Sequence, residues 1–254
     1  MKKLLVSLAA FAVIALPAVV KADTFTFTAP ATAPNNNSST NNPNNSNYEG
    51  GTHQFELDHH EAYTWQINNL VIPPGQFITG ATLTFTSIRN WDSNPNMLFV
   101  HLLNSANTFS SASGTRSATV NGVTSYQDVN PNQVPVTDIS DAFAGSDLAT
   151  NPLVASGTGN TLLFSRSFTT TATTYTFSFT SAQLQALAQY IASGHNIAFG
   201  FDPDCHFWNN GITFTMTTTP SATPEPATMT LLGTGLAGLY YRRRRQQQQR
   251  RGAA

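Results

Sequence analysis

From Asp23 onward the chain alternates. Thr24, Thr26 and Thr28 interleave with Phe25 and Phe27, the period-two signature of a strand with one buried face. The pattern returns over Phe77–Ile88, where Leu83 and Phe85 sit between Thr82, Thr84 and Thr86. It returns again over Thr174–Thr180, around Tyr175, Phe177 and Phe179, and over Ile212–Thr218, where Ile212, Phe214 and Met216 alternate with threonines. One face is apolar and the other carries hydroxyls, as in antiparallel sheets with one wet side. Further strands are expected over Gln54–Leu57, Tyr63–Leu70, Met97–Leu103, Thr161–Phe168 and Asn196–Phe201. Short strands between Gly-, Pro- and Asn-containing loops predict an all-β fold, an antiparallel β-sandwich of jelly-roll type. One segment has helical spacing instead. Thr180 and Gln183 form a capping-box pair ahead of Leu184, Leu187, Ala188 and Ile191, and Gly194 is the expected stop. No repeat of fixed period is present, which argues against a solenoid or propeller.

Both chain ends break this pattern. Lys2 and Lys3 precede an apolar run, Leu4–Val20, that is interrupted by Pro17 and closes in Val20-Lys21-Ala22. This is the layout of a secretory signal peptide, with cleavage between Ala22 and Asp23. At the other end Pro224-Glu225-Pro226 precedes an apolar stretch, Ala227–Tyr241, then Arg242, Arg243, Arg244 and Arg245, a glutamine run and Arg250-Arg251. As a helix that stretch rises about 22 Å, short of the roughly 30 Å of a bilayer core. An arginine cluster directly after a span stays in the cytoplasm, which leaves everything before Pro224 outside, in agreement with the signal peptide. The expected organisation is a signal helix at 1–22, a short strand plus Asn/Pro/Ser/Thr-rich linker at 23–47, and a sandwich domain at 48–219. A tail follows at 220–254, with its motif at 224–226, an apolar transmembrane anchor helix at 227–241 and a basic end at 242–251.

The order Pro-Glu-Pro, short Gly-containing span and arginine cluster resembles the PEP-CTERM sorting domain of Gram-negative bacteria, over about residues 222–251. The resemblance implies an exported substrate of an inner-membrane exosortase, in a group often linked to extracellular polysaccharide and biofilm matrix. On it, Pro224, Glu225 and Pro226 are the sorting motif, and Arg242 to Arg245 are the stop-transfer end. The Gln/Arg extension after Arg245 departs from the usual pattern, but it lies on the cytoplasmic side of the span. The implied partners are the Sec translocon, the exosortase and extracellular polysaccharide. The inner membrane is engaged transiently through the C-terminal span, and the destination is the cell envelope or surface. The segments Arg89-Asn90-Trp91-Asp92 and Gly200–His206 resemble, more loosely, the ectodomains that precede such tails, a group with no reaction to carry over.

Charge changes the picture once the ends are set aside. Of the 12 basic residues only Arg89, Arg116 and Arg166 lie between Asp23 and Glu225, against all 13 acidic ones. That stretch is near −10 and has no lysine, so its surface repels nucleic acid and anionic headgroups. Its single cysteine, Cys205, cannot form an internal disulfide and reads as a small buried hydrophobe.

Candidate chemistry concentrates after Phe201. Asp202 and Asp204, with Asn210, suit a hard cation such as Ca²⁺; Asp202 and Asn210 equally suit the capping of a tight inter-strand turn. His206 and Trp208 in that loop, with Trp91 and Asp92, are candidate ligand-binding residues. Trp91, Trp208 and Trp65 are the rings a sugar could stack on, with core packing the expectation for Trp65. Asp58-His59-His60-Glu61 lacks the i, i+4 histidine spacing of a zinc protease. No nucleophile-elbow or phosphate-loop motif occurs. The reading is therefore a non-catalytic surface or matrix protein, with glycan and Ca²⁺ as candidate ligands. Two alternatives are a secreted polysaccharide hydrolase or lyase, and a purely structural biofilm adhesive.

Overall fold

The computed structural model describes residues 21–29, 55–57, 62–90, 96–107, 116–120, 122–129, 141–145, 151, 153–154, 157–221 and 226–251. The signal helix, the Asn-rich linker and the Asp58–Glu61 run lie outside them. The chain divides into a compact unit, Ala22–Thr219, and a second unit that holds the C-terminal residues.

The first unit is mostly β, with two antiparallel sheets, one of them curled into a half-barrel. Its strands are β1 (Asp23–Thr28), β2 (Phe55–Leu57), β3 (Tyr63–Ile67), β4 (Gln76–Asn90), β5 (Leu98–Leu103), β6 (Arg116–Val120), β7 (Val123–Val129), β8 (Asn160–Arg166), β9 (Thr173–Ser178), β10 (Ile197–Pro203), β11 (Phe207–Asn209) and β12 (Ile212–Pro220). The first sheet runs β1-β12-β4-β11-β2, with β9 also paired to β4, and the second runs β6-β7-β3-β10-β5-β8. The β6–β7 hairpin and β11 are strands that the alternation does not announce. The short strand expected ahead of the linker, β1, is an edge strand of the first sheet, pairing with β12 from Asp23↔Thr218 to Thr28↔Thr213.

The sheets face each other across an aromatic core. Phe199 of β10 lies 5.1 Å from Phe214 of β12, and Phe201 meets Phe85 of β4 edge-on at 6.0 Å. Trp65 packs on Phe199 at 5.4 Å and is fully buried. It is a core residue, not a surface ring for a sugar. Such aromatic pairs add to the burial energy through their quadrupoles.

The outer face of the first sheet carries the hydroxyls. Thr26 and Thr28 lie beside Thr215 and Thr213, with Oγ1–Oγ1 distances of 3.5 and 3.4 Å, and Thr84 meets Thr176 at 3.0 Å. β4 is bulged between Phe85 and Ile88, with Ser87 at φ 51°. A bulge shifts the alternation by one residue and bends the strand, so Ile88 and Asn90 point inward and are buried while Arg89 points out.

The helix α1 (Ser181–Gly194) begins as the sequence predicts: Thr180 is its N-cap and Gln183 completes the capping box. Its end differs. Gly194 is still helical, and His195 takes the left-handed position at φ 59° with its N–H on Ile191 O. Gln183 also donates to the carbonyls of Leu162 and Leu163 at 3.1 and 3.0 Å. The helix thereby covers edge carbonyls of β8 that would otherwise stay open to pairing.

In the second unit α2 (Pro226–Arg251) opens on proline, a residue suited to the first helical position because its missing N–H would go unsatisfied there anyway. A transmembrane helix is expected here from the sequence. What forms has an apolar part confined to its first half, and among the described residues no helix is long and apolar enough to cross a membrane. Leu231, Leu232, Leu236, Leu239, Tyr240 and Tyr241 are all exposed on it.

Phe27 is fully buried and stacks on Phe214 at 6.4 Å. Phe27→Ala is expected to cost about 3–4 kcal/mol, read as a shift in the midpoint of chemical denaturation. Phe25→Ala, at a half-buried site on the same strand, is expected to cost clearly less.

Candidate functional site

Strand β10 positions most of the chemistry. It lies between β3 and β5, and every residue from Ile197 to Pro203 is buried. Ile197, Phe199 and Phe201 belong to the core between the sheets. Ala198, Gly200 and Asp202 therefore face the other way, and that outer face is covered too. A second apolar cluster joins Ala198 to Ala62, Leu103, Ala106, Ala142, Phe143, Leu153 and Val154.

Asp202 belongs to this covered face. Its carboxylate accepts the Ala142 N–H at 2.7 Å. Around it lies a buried polar network. His101, 2 % exposed, sits in the apolar strand β5. Its Nδ1 is 2.6 Å from Asn160 Oδ1 and its Nε2 is 2.8 Å from Asp141 Oδ2. The Asn160 amide nitrogen donates to Phe143 O, which leaves its oxygen to accept from His101 Nδ1–H. The other ring nitrogen, Nε2, faces the Asp141 carboxylate. Asp141 also accepts the Phe143 N–H at 3.1 Å through Oδ1. Asn151 donates to Ala142 O at 2.8 Å and accepts from Leu153 N–H at 2.9 Å. Farther along, Gln66 accepts the Ala106 N–H at 2.5 Å. The bonds from Asp202, Asp141, Asn160, Asn151 and Gln66 to main-chain atoms each satisfy a backbone group that burial would otherwise leave costly. The one sequence signal of this network is the lone histidine in the apolar run Leu-Phe-Val-His-Leu-Leu, which by itself names none of its partners.

The expected cluster after Phe201 is divided among several tasks. Asp204 is buried, with its N–H on Met97 O at 2.8 Å. Cys205 is a buried thiol whose Sγ lies 3.7 Å from Asn90 Oδ1, in line with the small-hydrophobe reading. His206 is half-buried. Asn209 makes a turn-capping bond, accepting the Gly211 N–H at 3.0 Å. Asn210 is exposed, with its N–H on Thr86 O at 2.7 Å. Asp202 is thus engaged under the 141–145 segment, while Asn210 is tied to β4. Among the described residues no group of three or more His, Cys, Asp and Glu side chains could hold a metal ion.

Trp208 pairs across the ladder with Arg89, whose guanidinium lies 4.9 Å from the indole centroid. The ring is 9 % exposed, so the arginine occupies the face that a sugar would need. Trp91 and Asp92 lie outside the described residues. Arg166 stacks in the same way, 4.3 Å from the Tyr175 ring. Of the signal cleavage pair, Ala22 is exposed and Asp23 opens β1, its carboxylate accepting from Gln76 Nε2 at 2.8 Å.

In the tail Pro224 and Glu225 lie outside the described residues, Pro226 begins α2, and Arg242 to Arg245 are exposed along it. Residues 222–245 match the PEP-CTERM protein-sorting motif. The chain therefore carries that motif, which implies an exported protein sorted to the cell surface and processed by an exosortase. No curated protein matches the chain. No solved structure matches it.

Two substitutions probe the covered face. His101→Leu leaves Asp141 and Asn160 without their buried partner and is expected to cost about 3 kcal/mol, measured by thermal or denaturant unfolding. A Cβ on Gly200 would lie 2.8–2.9 Å from the Phe143 ring, so Gly200→Ala is expected to destabilise by about 1–3 kcal/mol through overpacking. Combining it with Phe143→Leu should recover part of that loss.

Proposed function

We propose that this chain is a non-catalytic surface or matrix protein, delivered outside by its sorting tail, whose β body, a jelly-roll-type sandwich, binds extracellular polysaccharide. The observation that carries the reading is the sorting motif at residues 222–245, joined to a body whose stretch between Asp23 and Glu225 holds 13 acidic and three basic residues. An acidic, lysine-free surface suits a hydrated neutral matrix and disfavours nucleic acid and anionic lipid.

The non-catalytic part is supported by how the polar side chains are spent. His101, Asp141 and Asn160 hold one another and the Phe143 backbone, and Asp202 holds Ala142. Groups committed to buried backbone are not poised for proton transfer to a substrate. The glycan part is supported by the Arg89–Trp208 pair on the outer face of the first sheet, immediately before Trp91-Asp92 in sequence. A planar guanidinium on an indole makes a flat platform with donors at its rim. On this reading Arg89, rather than the bare Trp208 ring, presents the surface to a sugar, with His206, Trp91 and Asp92, each within three residues of the pair in sequence, as further candidate contacts. Ca²⁺ belongs to the proposal as a stabilising ion, with Asp204 beside Asp202 and Asn210 as its oxygen donors.

The sorting step is tested first. Glu225→Gln with Pro224→Ala is expected to stop processing, so that a larger, membrane-associated form accumulates on immunoblots of fractionated cells. Normal processing of that double variant would defeat the sorting assignment. For the body, Arg89→Ala combined with Trp208→Ala is expected to abolish retention on matrix polysaccharide from the producing cells. Retention equal to the unaltered protein would remove glycan binding from the proposal. If Ca²⁺ is held, chelator lowers the melting temperature and millimolar Ca²⁺ restores it, with the shift lost in Asp204→Ala.

A further inference from the structure

Among the described residues nothing pairs with the outer edge of β1. β1 ends the first sheet, bonded on one side to β12. Ala29 donates its N–H to Ile212 O at 2.8 Å, one step past the Thr28↔Thr213 pair. Antiparallel pairs alternate between bonded and non-bonded. The backbone groups of Asp23, Phe25 and Phe27 therefore face β12, and those of Thr24, Thr26 and Thr28 face away. No described residue bonds to that outward row.

Native edges are usually blunted by lysine, proline, inward charge or a covering element. The far edge of the second sheet has such a cover, because Gln183 of α1 takes the Leu162 and Leu163 carbonyls and Tyr190 meets Thr161 at 3.1 Å. β1, with sequence Asp-Thr-Phe-Thr-Phe-Thr, carries no lysine, proline or inward charge along the edge, and no described residue covers it. Its one charge, Asp23, is tied back to Gln76 at 2.8 Å.

The edge is also self-complementary. Two copies of β1 laid antiparallel with Thr26 opposite Thr26 place Thr24 opposite Thr28 and Phe25 opposite Phe27. Threonines then meet on the outer face and phenylalanines on the core face, as a side-chain period of two requires. The same register brings the outward backbone groups of Thr24, Thr26 and Thr28 together, so each of the three pairs exchanges two N–H···O bonds. A register shifted by one residue would set threonine against phenylalanine at every position. The interface maps onto itself by a two-fold axis at Thr26, the commonest symmetry of homodimers.

We infer that the exported protein pairs with a second copy of itself through the outer edge of β1, in the register centred on Thr26. The two first sheets then form one sheet, and their hydroxyl faces run on from one molecule to the next. The pairing is separate from any glycan contact, because Arg89 and Trp208 lie at β4 and β11, away from this edge strand.

The test uses the exported protein as it is recovered from cells. Sedimentation velocity should show a concentration-dependent dimer. Thr26→Cys should give a covalent dimer under mild oxidation, because paired Cα atoms at such a position lie within disulfide range. Thr24→Cys should not, since its partner is Thr28. Native Cys205 is buried and serves as the background. Thr26→Pro removes an N–H that β12 does not use, so the dimer should be lost; Thr26→Lys guards the same edge without altering the ladder and should give the same loss if the proline variant unfolds. A protein that stays monomeric up to its solubility limit, a folded Thr26 variant that dimerises as before, or equal cross-linking of both cysteine variants would overturn the inference.

Discussion

The contact between Phe199 and Phe214, with Phe201 against Phe85, is what joins the two sheets. Neither sheet could bury its apolar face alone, and the hydroxyl face of the first has no apolar surface to offer. Burial of these rings supplies the main driving force for a fold with little helix and no disulfide. The chain of rings continues from Phe214 to Phe27 on one side and from Phe85 to Phe164 and Tyr175 on the other. Through it the edge strand β1, β9 beside β4 and the far strand β8 all depend on one core.

Strand β10 adds a second constraint, because it is buried on both sides. A strand in that position must find partners for whatever polar side chain points outward. Asp202 finds the Ala142 N–H, and the neighbouring His101 finds Asp141 and Asn160. The loop that supplies these partners packs Phe143 over Gly200, where no side chain would fit. The conformation of residues 141–145 is thus written partly in residues forty or more positions away. The carboxylates that looked like a compact loop cluster are split by the end of the strand: Asp202 is on β10 and takes the Ala142 N–H, while Asp204 lies just past Pro203 with its N–H on Met97 O.

Much of the β framework was legible. Asp23–Thr28 has the bounds read from its Thr/Phe alternation, and the strand beginning at Ile212 extends two residues beyond Thr218. The capping box at Thr180 was legible because its residues lie three apart and act locally. The turn at His195 was not, because glycine is only the cheapest residue for a left-handed position, not an obligatory one. β11 was hidden inside a polar segment, since Phe207-Trp208-Asn209 is too short for a period to show. It exists because β4 and β2 offer it edges on both sides.

The sequence by itself determined the destination and the faces. The sorting tail is a linear signal read by a processing enzyme, so its residues carry their meaning without a fold. Alternation set which side chains of β1, β4, β9 and β12 turn inward, because that period belongs to the backbone itself. Tertiary structure decided what each polar residue does. Whether Asp202 meets a cation or a backbone N–H, whether Trp208 is bare or covered by Arg89, and which strand edge stays open all depend on segments distant in the chain. Hydrogen bonds and ring contacts act only over a few ångströms, and no local pattern records which distant segment will arrive within that range.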